Sequence, residues 1–231
     1  TANHEYPDMW SSFAAMAAVT TRIKLVCGVY VLPIRNPIEV AKQAATLAIL
    51  SEGRFALGAG TGWMKEEFDA LGVPWERRGA RNDEYVAAMR AVWAASHAEF
   101  HGEFVDFDPV TSSPKPVNGN IPILVGGDTP AAIARAVKLA DGYFPGEGDI
   151  DRLRALIGRV HGACETAGRD PASLEINAMF GTQMSDPKAG IEEMRAAGVG
   201  RIMIPAFFFA GPGGLDRMTA LAEQIMPLAA E

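Results

Sequence analysis

The residues whose types and spacing could do chemistry in this chain are mostly glycines. Gly58, Gly60 and Gly62 alternate through the stretch Phe55-Ala-Leu-Gly-Ala-Gly-Thr-Gly-Trp63, and the acids Glu66 and Glu67 follow. Glycine lets a backbone approach a ligand closely and take positive φ. A strand that ends in glycines and leads into a helix is where α/β proteins place ligands. A dinucleotide loop needs G-x-G-x-x-G and a nucleotide-triphosphate loop needs Gly-Lys-Ser/Thr, and this spacing fits neither. A tight strand-to-helix turn is the plain reading. Three alternate glycines followed by Trp63 exceed what a turn needs, which favours a flat ligand across bare backbone.

A second loop, Gly126-Gly127-Asp128-Thr129-Pro130, is a different device. Two glycines, a hydroxyl side chain and the start of a helix present free N–H groups at the positive end of the helix dipole, which suits a phosphate. A helix cap and nothing more is the alternative. Asp128 has to point away if an anion binds there. Among the histidines, His97 and His101 are four apart in His-Ala-Glu-Phe-His. A zinc-protease pair needs Glu directly after the first His, so these read as surface histidines and no metal site is expected. His161 reads as solvated on a polar helix face. No Ser/His/Asp arrangement can be argued.

Elements must hold these loops. Residues 8–19 read as a helix with Trp10, Phe13, Met16 and Ala17 on one stripe. Residues 23–31 form a near-continuous apolar run, which suits one strand buried on both faces. Asn36-Pro37 places a cap residue before a first-turn proline and opens a helix to about Leu50. The same device recurs at Thr129-Pro130 and Asp186-Pro187. Helices are expected at 65–71, 80–95, 151–167 and 215–228. Strands are expected at 55–60, 121–125, 141–145, 174–181 and 201–205, with a hairpin within 97–109. Six strands alternating with helices mean a parallel sheet with right-handed crossovers, either open and doubly wound or a barrel.

The bulk numbers bound the function. The chain has 231 residues, is 48% apolar and carries a net charge of −7 with no basic run. That is enough to bury a full core, and it argues against a nucleic-acid or membrane-surface protein. No apolar stretch approaches the roughly 18 residues that span a bilayer. Cys27 and Cys164 read as two buried free thiols of a cytoplasmic protein.

Several stretches together resemble the bacterial luciferase-like superfamily, specifically its F420-dependent oxidoreductases. They are Thr21-Arg-Ile-Lys-Leu25, Leu32-Pro-Ile-Arg-Asn-Pro37, Leu50-Ser-Glu-Gly-Arg54, Leu57-Gly-Ala-Gly-Thr-Gly-Trp63 with Glu67-Phe68, and Gly126-Gly127 with Ala140-Asp-Gly142. The resemblance covers most of the chain. It implies an α/β fold of the (β/α)8 TIM-barrel type with insertions. Residues 1–231 would form one barrel domain that is incomplete at the N-terminus, its first two strands lying before residue 1.

The resemblance also implies roles. Gly28 and Val29 match a bulge with a non-proline cis peptide behind the flavin ring. Gly60, Thr61, Gly62 and Trp63 would line the cofactor's ring and chain, and Gly126, Gly127 and Thr129 would hold its phosphate. Glu67 matches a recurrent acid and would pair with Arg78 or Arg81 if it is structural. His4, near the barrel mouth, and Glu67 are the weak catalytic candidates. Phe207-Phe-Phe209 would cap the mouth or pack in the core.

The implied activity is hydride transfer by coenzyme F420 to or from a small organic substrate, with a homodimer as the family's common assembly. The nearest alternative is an FMN-dependent monooxygenase on the same barrel. A barrel lyase or aldolase holding a phosphorylated substrate is a further one, although neither Lys24 nor Lys115 is well placed for a Schiff base. A flavin-free subunit is the last.

Overall fold

The computed structural model describes residues 7–230, without the side chains of Thr182, Ala206, Phe207, Ala229 and Ala230. The chain folds as two compact units, one ending at Gly126 and one beginning at Gly127.

The first unit is built on β3 (Phe55–Gly60), a strand buried at all six positions. Parallel partners flank it: β1 (Leu25–Val26) and β2 (Tyr30–Val31) on one side and β6 (Ile123–Gly126) on the other. Burial on both faces explains why the strand shows no polar alternation. Helix α1 (Met9–Val19) is capped by the Asp8 carboxylate, which accepts from Ser11 N–H. Helix α2 (Pro37–Leu50) is capped by Asn36 as its sequence dictates. Two helices follow β3: the short α3 (Lys65–Ala70) and the long α4 (Arg78–Ala94). Val40, Ala41, Ala44, Ala45 and Leu47 of α2 and Val86, Met89, Val92 and Trp93 of α4 are buried, and Trp93 Nε1 donates to Ala41 O at 3.0 Å. The small alanines let the two helices pack closely.

Two expectations about these elements fail. The apolar run 23–31 is not one strand: it breaks between β1 and β2. Met16, placed on the inner stripe of α1, is 48% exposed, because only Ala17 of that helix is fully buried.

A two-stranded antiparallel hairpin, β4 (Ala98–His101) with β5 (Asp106–Val110), follows α4. His101 Nδ1 lies 2.7 Å from Asp106 Oδ1. That hydrogen bond, aided by the negative charges of Asp106, Glu99 and Asp108, raises the His101 pKa above its usual 6.5. A raised folded-state value means the bond supports the hairpin fully below about pH 6.5 and is lost as pH climbs through the elevated value. An NMR titration is expected to place the His101 midpoint above 6.5, and Asp106→Asn to bring it down.

The second unit holds three parallel strands, β7 (Gly142–Phe144), β8 (Glu175–Met179) and β9 (Arg201–Met203), paired in that order. Its helices are α5 (Pro130–Leu139), α6 (Ile150–Thr166), α7 (Pro187–Ala196) and α8 (Gly214–Ile225). Thr129 and Asp186 cap α5 and α7, as their cap-then-proline pairs foretell. Tyr143, Leu153, Val160, Cys164, Ala178, Phe180 and Met194 are fully buried at its core. Phe208 and Phe209 are half-buried in a 3-10 turn, and Arg217 donates to the Ala210 and Pro212 carbonyls beside it.

Gly158 lies inside α6, and a Cβ there would meet nothing within 4 Å. Alanine relieves glycine's entropic penalty in a helix without a clash. Gly158→Ala is therefore expected to stabilise the protein by about 0.5–1 kcal/mol in urea unfolding.

Candidate functional site

Register builds the first half of the candidate site. Leu25 and Val26 face Phe55 and Ala56, whereas Tyr30 and Val31 face Ala59 and Gly60. Residues 27–29 therefore stand opposite only residues 57–58, and the extra residue forms a bulge. The Gly28–Val29 peptide within it is cis.

The glycine ladder of β3 seats this bulge. A Cβ on Gly58 would lie 1.9 Å from the Cys27 carbonyl oxygen and 2.9 Å from Val29 Cγ1. A Cβ on Gly60 would lie 2.5 Å from Val29 Cγ2. The side of Gly58 and Gly60 left bare by glycine is thus occupied by Cys27 and Val29. This gives the alternation a purpose that the spacing alone does not reveal. The apolar surface standing there is the Val29 side chain.

Gly62 takes φ +80°, and a Cβ there would meet Phe68 at 2.8 Å and Val31 at 2.9 Å. The Gly62 carbonyl accepts from Arg78 Nε at 3.2 Å. The Arg78 guanidinium stacks 3.6 Å over the Trp75 ring, which meets Phe68 edge-on at 5.1 Å. Arg78, Trp75 and Phe68 together hold the exit of the glycine loop. Thr61 is half-buried beside Gly62, while the Trp63 indole is 79% exposed. On the other side, Tyr30 of β2 is tied to α1 by Trp10 Nε1, which donates to its hydroxyl at 3.1 Å.

Glu67 is exposed on the first turn of α3. The expected pairing with Arg78 or Arg81 is not made. Arg78 serves Gly62 and Trp75, and Arg81 donates to Pro74 O at 2.7 Å with its guanidinium 5.1 Å from the Phe104 ring. His4 lies outside the described residues. Cys27 and Cys164 are both free; Cys164 is buried and Cys27 half-buried. Desolvation pushes the Cys27 thiol up to about 12 and raises that of Cys164 as well. Neither is a thiolate nucleophile near neutral pH. Among the described residues no three His, Cys, Asp or Glu side chains converge as a metal site would need.

In the second unit, Gly127 has φ +113° and is held from both ends. Its N–H donates to Phe144 O at 3.1 Å, and its carbonyl accepts from Tyr143 Oη at 2.7 Å. Desolvation, helped by the Asp128 carboxylate, pushes the Tyr143 phenol up to about 12, so it remains a protonated donor. The Gly127 N–H is therefore spent, contrary to the expectation that it is offered to a phosphate. Thr129 Oγ1 accepts from Ala132 N at 3.2 Å, and Pro130 has no N–H. The N–H groups of Asp128, Thr129 and Ala131 find no acceptor among the described residues. These three donors and the Thr129 hydroxyl are the set an anion could use at the α5 N-terminus. Asp128 is exposed. Gly126 closes β6 in the first unit. Tyr143 is absent from the residues singled out by sequence; a tyrosine in a short, otherwise apolar strand next to the glycine loop was the signal for it.

The family profile described as luciferase-like monooxygenase matches residues 1–227. An uncharacterised protein of Mycobacterium tuberculosis (strain ATCC 25618 / H37Rv) is 40% identical over 192 residues, covering 83% of this chain and 65% of that protein. The FMNH2-dependent dimethylsulfone monooxygenase of Pseudomonas putida is 30% identical over 171 residues, covering 72% of this chain and 47% of that one. The chain thus spans less than two thirds of the length of these relatives. Among solved structures, an F420-dependent secondary alcohol dehydrogenase in complex with an F420-acetone adduct superposes with a TM-score of 0.79 at 18% identity, covering 98% of this chain and 86% of that one. That likeness shows the fold to be the expected one, α/β of the TIM-barrel type.

Proposed function

The chain belongs to the luciferase-like monooxygenase family, and from that membership we propose that it is an oxidoreductase that uses coenzyme F420 to move a hydride to or from a small organic substrate. The bound cofactor supplies the redox chemistry, and the chain's own residues bind and orient it. The observation that most supports this reading is the Val29 side chain, raised by a bulge and seated on Gly58 and Gly60. It offers a firm apolar shelf of the kind a flat ring needs. Thr61, Gly62 and Trp63 lie at the end of the same strand, with Gly62 fixed by Arg78. The free N–H groups of Asp128, Thr129 and Ala131, with the Thr129 hydroxyl, fit a phosphate ester.

FMN is the second reading, favoured by the 30% identity with an FMNH2-dependent monooxygenase. The shelf suits either ring, and the donor set suits the phosphate of either cofactor. A homodimer belongs to the same proposal. Among the described residues no helix is long and apolar enough to cross a membrane.

Separate titrations with F420 and with FMN, followed by cofactor fluorescence, test the reading. Saturable binding of F420 with none of FMN is the expected result. FMN binding alone selects the second reading, and failure of both cofactors rejects the proposal. Riboflavin, which lacks the phosphate, is expected to bind at least about tenfold more weakly than FMN if charge-assisted N–H contacts hold that group.

A further inference from the structure

Asn82 is fully buried on α4, and among the described residues neither its Oδ1 nor its Nδ2 has a hydrogen-bond partner. A side-chain amide has two donor hydrogens and an oxygen with two acceptor positions, and leaving them empty in an interior is costly. Two other buried amides differ. Asn177 Nδ2 donates to Glu175 O at 3.2 Å, and Gln183 Oε1 accepts from Gly181 N at 3.0 Å. Each of those is held in place by a protein partner. Asn82 has none among the described residues.

Its place on the helix narrows the explanation. Asn82, Val86, Met89 and Trp93 recur at spacings of four, three and four, which puts them on one buried face. Arg78, one turn earlier on that face, reaches the Gly62 carbonyl. Helix α4 packs against α2 and against the 3-10 turn Leu32–Ile34 that follows the bulged strand pair. The orphan amide therefore lies one turn further into the fold than the link that fixes the glycine loop. A cation there would satisfy only Oδ1, and an anion only Nδ2. A water molecule both donates and accepts, and internal waters serve buried polar groups of this kind.

We propose that Asn82 ligates an internal water on the inner face of α4. The site is independent of which cofactor the protein uses. A crystal structure of the wild-type protein at a resolution that shows ordered solvent is the first test. A water peak within about 3.2 Å of Oδ1 or Nδ2 is expected. Absence of a peak in otherwise clear density overturns the proposal.

Asn82→Leu, of similar size, is the second test. If the amide holds a water, leucine expels it, and the peak is expected to be missing from a crystal structure of the variant. A peak that persists at the same place in the variant is not ligated by Asn82. That outcome overturns the proposal too. Should the variant fail to fold, the wild-type density alone decides.

Discussion

Gly58→Ala is expected to lower the melting temperature by about 6–12 °C. The added methyl would sit 1.9 Å from the Cys27 carbonyl oxygen and 2.9 Å from Val29 Cγ1. Neither neighbour is the loose end of a flexible side chain. The carbonyl is backbone, and its strand is held in register by Leu25 and Val26 before it and Tyr30 and Val31 after it. Overpacking of a rigid interior costs about 1–3 kcal/mol and sometimes more, and a backbone clash belongs at the upper end. At roughly 2–4 °C per kcal/mol for a chain of this size, about 3 kcal/mol gives the stated drop. The variant must also push the bulge off β3, so it is expected to lose cofactor affinity beyond what unfolding explains. Differential scanning calorimetry and a cofactor titration below the new Tm separate the two effects. Gly158→Ala, the same chemical change in open space, carries the opposite sign, so a general intolerance of alanine cannot account for the result.

The second large effect concerns Arg54, which the family motif Leu50-Ser-Glu-Gly-Arg54 contains but does not explain. Its guanidinium is buried and, among the described residues, has no carboxylate as a hydrogen-bond partner. Nε donates to Ser51 O at 2.8 Å, Nη1 to Ile23 O at 2.8 Å and Thr20 Oγ1 at 3.0 Å, and Nη2 to Thr20 O at 2.8 Å and Ala17 O at 3.2 Å. Five bonds from one planar fork tie the C-terminal end of α1 and the approach to β1 to the start of β3. A cation is also favoured at a helix C-terminus by the dipole. Arg54→Met keeps much of the apolar stem but strands several carbonyls, each at about 1–3 kcal/mol. A net loss of about 3–5 kcal/mol in urea unfolding is expected, with less than half recovered by Arg54→Lys, whose point charge cannot reproduce the fork. A loss under about 1 kcal/mol for the methionine variant would show that water replaces the guanidinium and that the tie is dispensable.

These two residues also mark where sequence stops being informative. Asn36, Thr129 and Asp186 are legible as caps because the chemistry is local: a side-chain oxygen meets an N–H two or three residues on. The strand-to-helix rhythm is legible for the same kind of reason. The break within residues 23–31 is not, because it depends on how many residues β3 sets opposite them. The glycine spacing at 58, 60 and 62 is plain to see, yet what fills it comes from Cys27, Val29, Val31 and Phe68. Arg78 reads as an ion-pair partner for Glu67 when only charges are visible; the structure gives it to a carbonyl and a tryptophan face. The Gly127 N–H reads as free until Phe144 is brought beside it. In each case the missing information is a partner distant in sequence.

We propose that the Val29 shelf, seated on the glycines of β3, is the wall against which the cofactor ring lies. The most direct test is a crystal structure of the full-length protein with F420 bound, or with FMN if that is the cofactor it retains. Ring atoms are expected in van der Waals contact with Val29, about 3.5–4 Å from its methyl carbons. A bound ring that leaves Val29 uncovered would contradict it.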